Sequence, residues 1–356
     1  MKKIISQFSY FTLTVILCLA TTVKSMASNR LPKADIVVAL DGSGNYKSIQ
    51  AAINAVPDNS SKRFVILIKN GTYNTEKLIV PATKINLTII GEDREKTIIS
   101  YHIYDCQSPQ SENKCPAESW ALWKDNKDLS RTSATLTVLA NDFHAENLTV
   151  SNTAGPVGQA LALTLIGDRI IFANCNILGY QDTILLRKNG NRNYFTNCLV
   201  LGRTDYIYGG GIGYFSGCEI RSYGGGWVTA PSTPETQFYG FVFNHCKFTY
   251  AKNSPRKGDD GAPIAIGRPW HDYPKVTILN SDMCEQIHPE GWPTTWRMDY
   301  AATSDKLHLY EYNNTGKGAD MSHRAKWAGL RALTDQEAAD YSIEKVLNGW
   351  NPEKER

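Results

Sequence analysis

Four polar residues return one structural repeat apart. Gln159 is followed 22 positions later by Gln181, and Asp182 is followed 23 positions later by Asp205. A period near this length matches one coil of a parallel β-solenoid, within the ~20–50-residue repeats of stacked architectures. Residues one coil apart then stand on neighbouring strands ~4.8 Å apart. Two carboxylates and two amides far apart in sequence would therefore converge on one small patch. Paired carboxylates suit hydrolysis, because one can attack or activate water while the other carries the proton. Glycoside and ester hydrolysis both use such a pair, so the pair alone leaves the reaction open. A lone Gln-Asp-Thr also fits the polar ladders inside β-solenoids that carry no chemistry.

The elements that must position these residues are short. Phe64–Ile68, Asn86–Gly91, Ala134–Val138, Asn147–Val150 and Ala160–Leu163 are β-rich runs with turn residues between them. Their apolar alternation is that of strands with one face inward. A motif then recurs as Phe172-Ala173-Asn174-Cys175, Phe195-Thr196-Asn197-Cys198, Phe215-Ser216-Gly217-Cys218 and Phe243-Asn244-His245-Cys246, at steps of 23, 20 and 28. This is a ladder of one position in successive coils. Asn86, Asn147, Asn174 and Asn197 fall near strand starts, where their side chains suit turns. No helical pattern is visible between residues 130 and 250, so a doubly wound α/β fold is disfavoured. An antiparallel sandwich would not explain the returning motif. The expected fold is all-β, a right-handed parallel β-helix with short capping helices. Ile49, Ala52, Ile53 and Val56 form an apolar helical stripe for one end. Thr334-Asp335-Gln336-Glu337 reads as a capping box, with a helix to Leu347 and Gly349 as its stop. Gly224-Gly225-Gly226 reads as a turn and not a phosphate loop, since no helix follows it.

The remaining composition bounds the class. The chain has 356 residues, 8 cysteines and a formal charge of +3. Lys2 and Lys3, the apolar stretch Phe11–Ala20 and Ser25-Met26-Ala27 read as a secretory leader over residues 1–27. The apolar stretch is short for a span of ~20 residues, so no membrane anchor is expected. Removing the leader removes three lysines and no acid, which brings the charge from +3 to zero. No nucleic-acid surface is implied. Residues 28–356 are expected to form a single domain, secreted or periplasmic and monomeric. Cys106 and Cys115 could close a polar loop. Cys198 and Cys218 could bridge adjacent strands, or the four ladder cysteines could simply stack as core thiols. No C-x-x-C pair is present, so no structural zinc site is expected.

The sequence around the acids is more specific. The stretches are Gly155–Leu161, Gly179-Tyr180-Gln181-Asp182-Thr183, Arg203-Thr204-Asp205-Tyr206-Ile207-Tyr208-Gly209 and Ile266-Gly267-Arg268-Pro269-Trp270. In this order they resemble the pectin methylesterase (pectinesterase) family. The resemblance runs from Asp41-Gly42-Ser43-Gly44 to Ala325-Lys326-Trp327. It implies a parallel β-helix enzyme that needs no metal and no cofactor, acting on methyl-esterified homogalacturonan. It further implies that Asp205 is the nucleophile on the C6 methyl ester carbonyl and Asp182 the general acid and later base. Gln159 and Gln181 become amide donors to the oxyanion, and Arg268 the partner that keeps Asp205 ionised. Trp270, and by the same likeness Tyr208, become walls of the sugar cleft. Physical chemistry agrees. Two close carboxylates do not both ionise readily, and an arginine beside one decides which keeps the proton. Neutral amides stabilise an oxyanion without repelling an anionic polymer.

The chain departs from the family pattern in places. Tyr206 and Tyr208 stand where Phe is common, Ile266 where Leu is common, and the early Gly-x-Tyr-x-Glu has one extra residue before Glu76. The rivals are a β-helix lyase, which is expected to carry a calcium-binding acid cluster, and a polygalacturonase, which needs acids without the two amides. A non-catalytic carbohydrate-binding solenoid is the third.

Overall fold

The computed structural model of the protein describes residues 33–105, 117, 133–293 and 299–355. The leader expected over residues 1–27 and the Cys106–Cys115 pair lie outside the described residues.

Among the described residues the strands form three parallel sheets of eleven, seven and eight strands. One coil takes one strand from each sheet, as in Ile170–Ala173, Asn176–Leu178 and Ile184–Leu186. The next coil repeats the order with Arg192–Thr196, Leu199–Gly202 and Ile207–Gly209. The chain is a parallel β-helix, as its repeat implies. Short runs rich in Val, Ile, Leu, Thr and aromatics fit a pleated, buried surface better than a helix.

The Phe-x-x-Cys ladder is the spine of the interior. Phe172, Phe195, Phe215 and Phe243 lie in register on paired strands. Their rings follow one another at centroid spacings of 5.6, 4.5 and 4.8 Å, with Phe143 at 6.1 Å from Phe172. Cys175, Cys198, Cys218 and Cys246 are buried and free. The Cys198–Cys218 bridge allowed by the spacing does not form. Each thiol instead points at a carbonyl of the coil before it: Cys198 to Phe172 at 3.4 Å, Cys218 to Phe195 at 3.5 Å and Cys246 to Phe215 at 3.3 Å. They pack as small hydrophobes with a weak donor.

The recurring asparagines make the corners. Asn147, Asn174 and Asn197 have φ of 57°, 50° and 52°. Asn tolerates this left-handed region better than most side chains. Their amides also chain together, Asn174 donating to Asn147 at 2.8 Å and Asn197 to Asn174 at 3.0 Å. Because Asn147 turns, the strand expected over Asn147–Val150 runs instead over Thr149–Asn152.

The helix Ile49–Ala55 covers one end, with Ser48 accepting from Ala51 at the N-cap. The Glu76 carboxylate accepts from the Ser48 hydroxyl at 2.7 Å, which gives the displaced Glu a structural role. Near the C-terminus the Thr334 and Glu337 capping box is present. The helix expected to reach Leu347 is broken, however, into Asp335–Ala338, a 3-10 turn Ala339–Tyr341, and Ile343–Val346. The break lets Tyr341, Val346, Leu347 and Trp350 bury against Tyr194, Tyr214 and Val242 on the outer face of the eleven-stranded sheet. Gly349, at φ 79°, ends the segment.

Candidate active site

Register brings the four polar residues together. Ile184 pairs with Ile207 in a parallel ladder, a step of 23 residues. Followed backward, the same step sets Gln181 against Thr204, which form a bridge, and Asp182 against Asp205. Asp182 N–H donates to the Thr204 carbonyl at 3.0 Å. The coil before it obeys a different step. Leu163 pairs with Ile184, but Ala160 N–H donates to the Gln181 carbonyl at 3.1 Å, which is the step of 22. The difference is absorbed where Ala162 and Leu163 both donate to the Thr183 carbonyl, at 2.9 and 3.0 Å. This one-residue bulge puts Gln159 opposite Gln181, and the strand expected over Ala160–Leu163 runs instead over Leu163–Leu165. Asp182 and Asp205 occupy left-handed turns, at φ 61° and 50°. Asp accepts that conformation more readily than most residues.

Arg268 arrives from two strands away. Trp227–Pro231 pairs with Ile207–Gly209 on one side and Ala265–Gly267 on the other. Arg268 follows that last strand and grips Asp205 with both arms of its guanidinium. Nε donates to Oδ1 at 2.8 Å, and a terminal nitrogen donates to Oδ2. The guanidinium lies over the Trp227 ring at 4.6 Å from its centroid, a cation–π contact that holds the fork in place.

Beside these groups opens a cleft of about 530 Å³. Gln159, Asp182, Tyr208 and Trp270 line it, together with Asp105 and Arg187. Gln181, Asp205 and Arg268 are not among its lining residues. The Asp205 side chain retains 11 % of its exposure. Trp270 is 45 % exposed and meets Tyr208 edge-on at 6.2 Å. Gln159 and Gln181 differ from the corner asparagines. Neither makes a side-chain hydrogen bond among the described residues, and the Gln159 amide oxygen is buried without a partner. They are not members of a structural ladder, and their amides are unspent.

The two acids are electrostatically unequal. Burial pushes the Asp182 carboxyl well above its ordinary value, and the charges of Asp205 and Asp105 push it further. Arg268 opposes this only through space. Burial also raises Asp205, but there Arg268 counteracts it by direct hydrogen bonds as well as by charge. The last proton of the pair therefore rests on Asp182. Tyr208 acts on Asp182 in the opposite, lowering direction, and burial raises this phenol far above its usual range. The second extra hydroxyl, on fully buried Tyr206, meets Ser222 Oγ at 2.6 Å.

Sequence reasoning missed Asp105, Arg187 and Trp227. Asp105 opens a polar segment that reads as loop, and Trp227 follows the glycine run. Arg187 sits two positions after the apolar Leu185 and carries no spacing signal of its own.

A family profile described as Pectinesterase matches residues 35–114 and 119–350. A probable pectinesterase/pectinesterase inhibitor 58 of Arabidopsis thaliana is 33 % identical over 345 residues, 93 % of this chain and 55 % of that protein. Pectinesterase/pectinesterase inhibitor U1 of Solanum lycopersicum is 36 % identical, over 88 % of this chain and 51 % of that protein. The chain thus spans about half the length of the curated relatives it matches. Among solved structures, pectin methylesterase from carrot superposes with a TM-score of 0.78 at 30 % identity, covering 91 % of this chain and 97 % of that one. PemA from Erwinia chrysanthemi gives 0.72 at 28 %, covering 90 % and 98 %. A pectin methylesterase in complex with a hexasaccharide gives 0.70 at 28 %, again covering 90 % and 98 %.

Proposed function

This chain belongs to the pectinesterase family, and from that premise we propose that it hydrolyses the C6 methyl esters of homogalacturonan, releasing methanol. The observation that carries the reading is the asymmetry of the acid pair: Arg268 grips Asp205 with two hydrogen bonds and leaves Asp182 to keep a proton at the cleft. That arrangement supplies one ionised nucleophile and one acid at the same pH.

The steps follow from these roles. An Asp205 oxygen attacks the ester carbonyl carbon, and the carbonyl electrons move to oxygen. The Gln159 and Gln181 amides donate to that oxyanion without adding charge. As it collapses, the bond to the methoxy oxygen breaks and Asp182 gives that oxygen its proton, so methanol leaves. The galacturonyl group is now joined to Asp205 as an anhydride. Asp182, now a carboxylate, takes a proton from water. The resulting hydroxide adds to the galacturonyl carbon, the anhydride bond breaks, and the Asp205 carboxylate returns. Trp270 and Tyr208 form the apolar wall against which a sugar ring can lie.

No cofactor enters these steps. The same reading has one catalytic body, residues 28–356, acting as a monomer outside the cytoplasm, secreted or periplasmic, after loss of residues 1–27.

Methanol release from methyl-esterified pectin tests the reading, with chain length and unsaturated products followed in parallel. Methanol without chain shortening, lost in Asp205→Ala, supports it. Chain cleavage that survives Asp205→Ala would sink it in favour of a lyase or a polygalacturonase. No turnover in either protein would point to a binding solenoid.

A further inference from the structure

Behind the reacting groups lies another carboxylate, one that the proposed steps do not use. Asp259 is 2 % exposed. Its Oδ2 accepts from the Tyr180 hydroxyl and from the Ser254 hydroxyl, each at 2.6 Å, and its Oδ1 accepts from Arg203 Nε at 2.9 Å. The identity of the donors is what matters. Tyr180 directly precedes Gln181 and Asp182, and Arg203 directly precedes Thr204 and Asp205. The two segments are also bonded to each other. The Tyr180 carbonyl accepts from Arg203 N–H at 2.6 Å and from Thr204 N–H at 3.2 Å. Arg203 in turn donates to the Thr204 hydroxyl at 2.8 Å. One buried carboxylate thus ties together the lead-ins to both acids.

The surrounding backbone is shaped to bring Asp259 there. A side chain on Gly224 would strike the Asp259 carbonyl at 2.2 Å, and one on Gly226 would strike the Arg203 carbonyl at 1.9 Å. The glycine run is a turn, as its sequence suggests, and its bareness lets the Asp259 loop close over Arg203. Burial by itself would raise the Asp259 carboxyl, yet the bonds from Ser254, Tyr180 and Arg203 bring it below its ordinary value. Tyr180, pushed up to about 12 mainly by burial, stays a proton donor throughout.

We propose that Asp259 is a positioning residue for the hydrolytic site: through Tyr180 and Arg203 it locks the two left-handed turns that carry Asp182 and Asp205 at one separation. The inference rests on the hydrolytic reading above. Left-handed non-glycine turns persist only where the surroundings hold them. The acid–nucleophile geometry depends on two such turns in adjacent coils, and small misplacements of reacting groups cost up to ~10²-fold in rate.

The test uses Asp259→Asn, which keeps the shape and loses the charge, and Tyr180→Phe, which loses one bond. Methanol release gives kcat and KM across pH, and circular dichroism with thermal melting reports the fold. The expected result is a kcat lower by roughly 10–100-fold, with KM within about threefold, in protein that remains folded. The basic limb of kcat should also move to lower pH, because Asp182 is no longer pinned against Asp205. The other groups that face Asp182, namely Asp105, Arg268 and Tyr208, are unchanged in both variants. Folded variants with wild-type kcat and an unmoved limb overturn the proposal, leaving Asp259 a purely stabilising residue. Should Asp259→Asn fail to fold, the same two readouts on Tyr180→Phe decide. A folded wild type that releases no methanol overturns the hydrolytic reading and this inference with it, whereas an active wild type with unaffected variants overturns the inference alone.

Discussion

Replacing Arg268 tests the asymmetry of the acid pair most directly. Arg268→Lys keeps a positive charge beside Asp205 but removes the fork that bonds both oxygens. Arg268→Met removes charge and bonds together. A close opposite charge moves a carboxyl by about 1–3 units, and each unit is worth about 1.4 kcal/mol. The lysine variant forfeits the bonded part, so the apparent value of Asp205 should rise; the methionine variant, which forfeits the charge as well, should raise it further. The sign follows from the mechanism. In the proposed steps Asp205 must be ionised to attack, so the acid limb of kcat/KM is expected to move to higher pH in both variants. Below the limb, the ionised fraction falls about tenfold for each unit. In Arg268→Met, Asp182 also loses the charge that was lowering it, so there the basic limb moves upward too and the whole profile slides to higher pH. Because the two acids interact, both limbs belong to the pair and not to either residue. The assay is initial methanol release over a pH series, with melting as a fold control, since stranding a buried carboxylate costs about 3–5 kcal/mol. An acid limb that stays in place in folded Arg268→Met, or moves to lower pH, would show that Arg268 does not hold Asp205 ionised.

Three further outcomes are expected. Gln159→Leu removes an unspent amide from the cleft, so kcat should fall ~10²–10³-fold with KM nearly unchanged. A comparable rise in KM alone would instead make Gln159 a binding residue. Phe195→Ala opens a hole between Phe172 and Phe215, its neighbours at 5.6 and 4.5 Å, and should lower unfolding free energy by about 3–5 kcal/mol in denaturant titrations. Glu337 at the capping box is held down to about 2 by Arg331 and by Thr334. Its folded value lies below the unfolded one, so its contribution is present above pH ~4.3 and fades as pH falls through about 2. Melting points of wild type and Glu337→Gln should therefore differ above that window and converge below it.

The coil was legible because its repeat is written in residue types that burial enforces. Phe at one position and Cys three later must recur, since each fills the same slot in the next coil. Asp182 and Asp205 were legible for the same reason, their step of 23 being the register of Ile184 on Ile207. Trp227 was not, because its role depends on a guanidinium arriving from a strand that is distant in sequence. Asp259 was not, because a carboxylate in a polar loop reads as solvated until the fold buries it under Tyr180 and Arg203. The C-terminal helix was misjudged in length because a capping box specifies a start but not how far tertiary packing lets the helix run.

The β-helix, the corner asparagines, the stacked interior and the meeting of two amides with two acids are all readable along the chain. These are consequences of periodicity, and a period needs no knowledge of distant contacts. Packing in three dimensions settled that the ladder thiols stay free and that a bulge at Ala162 and Leu163 reconciles a step of 22 with one of 21. It also showed the physical cause that makes the two acids unequal. That last outcome depends on burial and on a guanidinium 63 positions away from Asp205, and charge and desolvation act through space and not along the chain.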